Sequence, residues 1–460
     1  MGAAAAPLPA AEGLAATRAE TARLRATFPL VAAGVVASLA NLLSTVLVAR
    51  LLPAVAYGAL AKLLGLFLVL SMPGSALMVG VVRRVAAWEL AGRVAEVRGW
   101  VARVHAAGVG AVVVLALTML ASRGAIAHLL HLQGSSGIVE IVTAGGAWVL
   151  VSIDRGLLQA RRAYQGLAVN LMVEGTVRTA GMIGLAVAGL GLEGAALGIL
   201  GGEVAAACHA RWRVHGLLGG GKVVPVATGG PGAVLAVGVD GAVGAGAELV
   251  TGHSGRDLVA DVLTAVASLA LLAVLQNADV IVLGVRAPGR AGAYAAISVP
   301  AKALVFWALV LANYLLPEAT IRHHQGRHAL AQLAHTLAVL APPAAGLLGV
   351  AVVAPRWFLS LVFGSTYAAG AGAFWGLVLA MVCLCVTTVL TSYLLGVGWR
   401  WIVALLGAGG VGLAAGTVAA RGQLVATARA DLVVQAALAV VLAVAFGTVH
   451  RRSVRAGSRG

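Results

Sequence analysis

The chain has 460 residues, 61% of them hydrophobic and only 10% charged, with a mean hydropathy of +0.99. That balance excludes a string of soluble domains, whose surfaces need far more charge. The net charge of +16 excludes less than it suggests. A nucleic-acid binder gathers its Arg and Lys on one face, whereas here they are scattered through short loops between apolar runs. This is the pattern of positive-inside membrane topology, so no nucleic-acid partner is expected.

Residues 1–27 are Ala-rich with Arg18, Arg23 and Arg25, and read as a cytoplasmic N-terminal segment. No cleavable signal is expected, because the apolar run that follows is of full membrane length. About 12 spans follow, each long enough to cross about 30 Å of hydrocarbon. Six run at 28–49, 60–82, 101–121, 138–153, 167–189 and 192–210, and form a predicted N-terminal bundle at 28–210. Six more run at 259–283, 293–316, 330–354, 372–395, 400–420 and 429–449, and form a predicted C-terminal bundle at 259–449. The predicted fold is therefore an all-α polytopic membrane protein of two six-helix bundles. Between the bundles, 211–258 reads as a Gly-rich cytoplasmic linker, and 450–460 as a basic cytoplasmic tail.

Loop charge sets the orientation. The basic segments RRVAAWELAGRVAEVR (83–98), DRGLLQARR (154–162), RWR (211–213), RHHQGR (322–327) and RRSVR (451–455) all fall on one side of this topology. That side is predicted to be cytoplasmic and to hold both termini, in a bacterial inner membrane. Gly216 to Lys222 matches GxxxxGK, but Val223 replaces the Ser or Thr of a P-loop and no strand precedes it, so it reads as a flexible loop. Cys383 and Cys385 lie in an apolar run and Cys208 stands apart, so all three read as packing residues rather than a zinc site or disulfide. The cluster His323, His324 and His328 sits with Arg322 and Arg327 and lacks a carboxylate, which favours lipid headgroups over metal. No metal or other cofactor is expected, and no catalytic arrangement is apparent.

One pattern occurs twice. VLVARLLPAVAYGAL (46–60) reads as a span, an Arg, a Pro turn, a Tyr and Gly, and a new span; VIVLGVRAPGRAGAY (280–294) repeats it in the second half. A repeat at half the chain length points to two homologous halves and hence to a transporter. Charged groups inside spans are costly and mark candidate function. Lys62 lies early in the second span, Glu203 in the sixth, Asp261 and Asp279 flank the seventh, and Lys302 is deep in the eighth without an evident partner. Helix-end positions let Lys62, Asp261 and Asp279 snorkel, and Glu174 and Arg178 stand i,i+4 apart, which suits a structural pair or a substrate site equally. Asn41, Asn170, Asn277 and Asn313 are read as interhelical hydrogen-bonding groups.

VARLLPAVAYGAL followed by VVRRVA (81–86), the DRGLLQARRAYQGLAVN run from 154, and NADVIVLGVRAPGRAGAYAAISVPAKALVFWALVLANYLLPEAT (277–320) resemble the O-antigen and exopolysaccharide flippases. That family belongs to the multidrug/oligosaccharidyl-lipid/polysaccharide exporter superfamily. The resemblance implies a MATE-like exporter fold with a central cavity lined by the first, second, seventh and eighth helices and opening alternately to each side. Its cargo would be a polyprenyl-pyrophosphate-linked oligosaccharide used in polysaccharide biosynthesis for the cell envelope. Lys302, Lys62, Arg50, Arg286 and Arg178 would be its substrate-binding cations, since fixed positive charge suits a pyrophosphate crossing hydrocarbon. Glu174, Glu203 and Asp279 would serve ion coupling or structural pairing. Partners would be the lipid-linked glycan, membrane lipids, and a glycan polymerase or glycosyltransferases. Pro317-Glu318 departs from the family pattern, where a basic residue follows the proline. The alternatives are a cation-coupled multidrug exporter of the same superfamily, and an inactive homologue scaffolding glycan assembly.

Overall fold

The structure, a computed structural model, describes residues 33, 36–90, 94–132, 134–161, 163–219, 255–324, 330–396 and 399–457. Most of the predicted linker, the N-terminal segment at 1–27, Lys222 and His328 lie outside the described residues. Those described are almost wholly helical, with no strand among them. In chain order the helices are α1 (Val36–Leu51), α2 (Ala54–Leu90), α3 (Val94–Leu129), α4 (Ile138–Ala160), α5 (Tyr164–Leu185), α6 (Gly191–Gly219) and α7 (Gly255–Arg286). They continue with α8 (Pro288–His324), α9 (Leu330–Val353), α10 (Pro355–Val362), α11 (Ala371–Gly396), α12 (Ile402–Ala419) and α13 (Leu424–Gly457). Among the described residues ten stretches are long and apolar enough to cross a membrane, against about 12 expected; helices suit a polytopic membrane protein, because only internally hydrogen-bonded helices or closed barrels satisfy backbone in lipid.

Several helices outrun the predicted spans. The basic stretch at 83–98 is mostly helical, so α2 and α3 project beyond the apolar core on that side. Helix α4 runs on through Asp154-Arg155, a charged pair that in sequence looks like a loop. The amphipathic α10, which follows Ala354 and starts at Pro355, and the 3-10 turn Ser365–Gly370 were not among the expected elements. Proline suits a first helical position because its missing N–H would be unpaired there anyway.

Packing divides the chain in two. Helix α4 packs on α2, α3 and α6, and α5 lies along α6; α11 packs on α8, α9 and α13, and α12 lies against α7 and α13. The two groups meet chiefly where α2 touches α7 and α8. Glycine sets the tightest approaches within the first group. A Cβ on Gly198 would lie 2.1 Å from the Met182 nitrogen, and one on Gly181 2.8 Å from the Gly198 Cα. Helices α5 and α6 are thus in near backbone contact, the role of small residues in membrane interfaces. The π-turn between them, Ala186–Leu190, is closed by Gly189 and Gly191 at φ of 93° and 53°, conformations that a side chain strains.

Candidate transport site

The repeated Arg-Pro-Tyr/Gly corners come face to face. A Cβ on Gly58 would sit 2.6 Å from the Gly292 nitrogen, and one on Gly292 would sit 2.1 Å from the Ala54 carbonyl oxygen. The starts of α2 and α8 therefore touch backbone to backbone across the bundle boundary. Tyr57 and Tyr294, one from each corner, are buried beside this contact.

Proline explains the polar chemistry at this junction. In an α-helix each carbonyl accepts from the N–H four residues on. Pro53 has no N–H, so the Ala49 carbonyl loses its helical donor; Pro288 does the same to the Gly284 carbonyl. Each orphan is taken up from the opposite bundle. The Tyr367 hydroxyl donates to the Ala49 oxygen at 2.7 Å. The Lys62 ammonium donates to the Gly284 oxygen at 3.0 Å, and also to Leu130 and His131 oxygens at 2.9 and 3.4 Å. Those last two follow the C-terminus of α3, where carbonyls are unpaired and a cation is favoured. Gly284 must be glycine for this, because a Cβ there would fall 2.4 Å from the Lys62 side-chain carbon Cδ. Arg50 adds a third strap, donating from α1 to the Val362 oxygen at 2.8 Å and to the Leu361 oxygen at the end of α10. Tyr367→Phe is expected to destabilise the purified protein by about 1–2 kcal/mol through the unpaired Ala49 carbonyl, read as a lower Tm.

Each bundle holds its own buried ionic network. In the first, Arg155 on α4 donates to Asn170 at 2.7 Å and to Glu174 on α5. Arg178, one turn along α5, donates to Glu174 and to Glu203 on α6. Asn170 in turn donates to the Ala206 oxygen at 2.8 Å. Both guanidiniums also lie over aromatic faces, Arg155 over Trp148 at 5.2 Å and Arg178 over Phe67 at 5.8 Å. The glycine contact of α5 with α6 makes this reach possible, since Gly202 lies directly under Arg178. In the second bundle, Lys302 donates to Asp279 at 3.2 Å, with Asn277 at 3.5 Å. Nearby on α13, Asp431 accepts from Gln435 at 3.1 Å, and Gln435 also reaches the Leu275 oxygen of α7. A third cluster sets Arg211 at 3.4 Å and His105 at 3.7 Å from the fully buried Asp154.

The structure thus distributes the sequence-predicted residues over three places. Lys62 and Arg50 strap the corner; Arg178, Glu174 and Glu203 lie together in the first bundle; Lys302 and Asp279 pair in the second. Lys302 therefore has the partner that sequence spacing did not reveal. Arg286 is exposed at the end of α7. Of the amides, Asn170 bonds between helices, Asn277 accepts from Lys302 of α8 and also back-bonds its own helix through the Ala273 oxygen, and Asn41 is exposed. Among the described residues no group of three or more His, Cys, Asp and Glu is placed to hold a metal, and all three cysteines are free. Sequence reasoning missed Asp154, Arg155, His105 and Asp431. The first two were read as a cytoplasmic loop, although an Asp-Arg pair interrupting an apolar run four residues after Leu150 was a visible signal.

No family model matches the chain, and no curated protein matches it. Solved structures do. An inward-facing multidrug resistance MATE family transporter of the MOP superfamily superposes with a TM-score of 0.63 at 13% identity, over 90% of this chain and 96% of that one. The fold is that of the MATE transporters. A MOP superfamily transporter from Pyrococcus furiosus, whose binding pocket is described as reversed in polarity, gives 0.61 at 13% identity over 94% and 95% of the two chains. A MATE protein in complex with MaD5 gives 0.61 at 12% identity over 94% and 96%. At such identities the MATE likeness carries architecture and not substrate.

Proposed function

We propose that the protein is an alternating-access transporter that moves an anionic lipid-linked glycan, of the polyprenyl-pyrophosphate class, across the bacterial inner membrane. Alternating access needs two bodies that keep their shape and a boundary that opens. Each bundle is cross-braced by its own ion pairs, whereas the corner between them is held by glycine contacts and a few hydrogen bonds to carbonyl groups. With the charge-derived topology, that corner lies on the outer side, so this conformation is closed outward.

The observation that carries the choice of cargo is the state of the buried acids. Asp154, Glu174, Glu203 and Asp279 each face Arg, Lys or His at salt-bridge distance, and Asp431 accepts from Gln435. A binding site for organic cations calls for an uncommitted carboxylate, whereas Arg50 and Arg286 are exposed near the corner where an anion would pass. A second reading, a cation-coupled multidrug exporter, is favoured by one feature: one carboxylate oxygen each of Asp154, Glu203, Asp279 and Asp431 is buried without a hydrogen bond.

Proteoliposomes with a labelled polyprenyl-pyrophosphate sugar in one leaflet separate the readings. Protein-dependent appearance of the sugar in the other leaflet is the expected result. Efflux of an organic cation without sugar movement would replace the flippase by the exporter, and movement of neither would leave the scaffold reading.

A further inference from the structure

Away from the corner, α2 and α3 run on past the membrane core and enclose a cavity of about 580 Å³ lined by Arg84, Trp88, Glu96, Gly99, Trp100 and Arg103. Its depth follows from helix rise. Arg84 lies 30 residues along from Ala54, about 45 Å at 1.5 Å per residue, which exceeds the roughly 30 Å hydrocarbon core. The cavity therefore opens at headgroup level, on the side that the loop charges make cytoplasmic.

The side chains are arranged around one cation. The Arg84 guanidinium lies 4.7 Å from the Trp88 ring and 5.4 Å from that of Trp100. The two indoles meet edge to face at 5.5 Å and 83°. Such cation–π contacts hold the guanidinium without using an acceptor for its N–H donors, which stay available to a ligand. Among the described residues neither Arg84 nor Arg103 has a hydrogen-bond or ion-pair partner, and both are exposed into this space. With Glu96 the lining carries two positive charges and one negative. A choline-type headgroup is disfavoured, because Arg84 already occupies the aromatic faces it would need. A phosphodiester suits the two guanidiniums.

We propose that this cavity is a binding site for the phosphodiester headgroup of an anionic phospholipid in the cytoplasmic leaflet, separate from the transport route. Arg84 and Arg103 hold the phosphodiester, and Trp88 and Trp100 position Arg84. Binding does not depend on which cargo the protein carries, so it is measured apart from transport.

The test is lipid retention by native mass spectrometry of the detergent-purified full chain, titrated with phosphatidylglycerol, phosphatidylcholine, glycerol phosphate or inorganic phosphate. Phosphatidylglycerol is expected to be retained over phosphatidylcholine, and Arg84→Gln with Arg103→Gln to weaken it by at least about tenfold. Arg84→Lys is expected to recover only part of this, since an ammonium cannot make the bidentate phosphate contact of a guanidinium. Arg98→Gln removes an exposed positive charge on the same helix outside the cavity and is the control, expected to bind as wild type. Folding of each variant is checked by its elution profile and Tm; where the double variant fails to fold, Trp100→Leu, which removes one aromatic face, is read instead with the same expectation. Equal retention of phosphatidylcholine, or an equal loss in Arg98→Gln, would overturn the site as a mere consequence of interfacial charge. Displacement of the lipid by millimolar inorganic phosphate or glycerol phosphate would overturn the lipid assignment in favour of a soluble phosphate.

Discussion

Glu174→Ala is expected to cost on the order of 3–5 kcal/mol and to leave little folded protein in the membrane. Glu174 is the shared acceptor for Arg155 and Arg178, and its removal leaves two buried guanidiniums facing one carboxylate, Glu203. The penalty comes from stranding charge and not from losing one attraction. It follows that Arg178→Met with Glu203→Met should cost less than either single change, because the pair removes one charge of each sign and keeps Arg155 with Glu174. Retained monodispersity after graded heating in detergent measures the four variants beside the wild type. A wild-type Tm in Glu174→Ala, or additive losses in the double variant, would show that the network does not brace the first bundle as a unit.

The parts of this molecule that were legible in the sequence share a property: their signal is local. Apolar runs mark the helices because lipid demands them. Glu174 and Arg178 read as neighbours because one helical turn separates them, and they are indeed bonded. What joins different helices was hidden. Asp279 and Lys302 stand 23 positions apart on successive helices, and Arg155 with Glu174 stand 19 apart, so nothing in either stretch announces the pairing. The same limit misplaced Asp154-Arg155, since a charged dipeptide is loop-like until its neutralising partners Arg211, His105, Asn170 and Glu174 arrive from α3, α5 and α6. The corner motif lies between these cases. Its Pro and Gly spacing was visible in both halves, and the orphaned carbonyl four residues before each proline follows from backbone geometry alone. Only the donors, Tyr367 and Lys62, needed the third dimension.

On the proposed alternating-access mechanism those donors act as a latch on the corner, with the heavier side at Lys62. Lys62→Met should weaken the closed state by about 2–3 kcal/mol, because the Gly284, Leu130 and His131 carbonyls lose a shared donor in a buried site. That is a shift of roughly 30- to 150-fold in the ratio of closed to open. Spin labels at Leu47→Cys and Leu361→Cys, exposed positions on α1 and α10 across the boundary, would report it as growth of a longer distance population, in a background lacking native cysteines. The proline argument supplies a suppressor. Pro288→Ala restores an N–H for the Gly284 carbonyl, so Lys62→Met should be less damaging in that background than alone. A structural lysine that acted only as a cap on α3 would show no such coupling with Pro288, since the α3 carbonyls gain nothing from it. The direction of the coupling therefore separates a latch between bundles from a cap within one, and a transporter that rocks about this corner requires the latch.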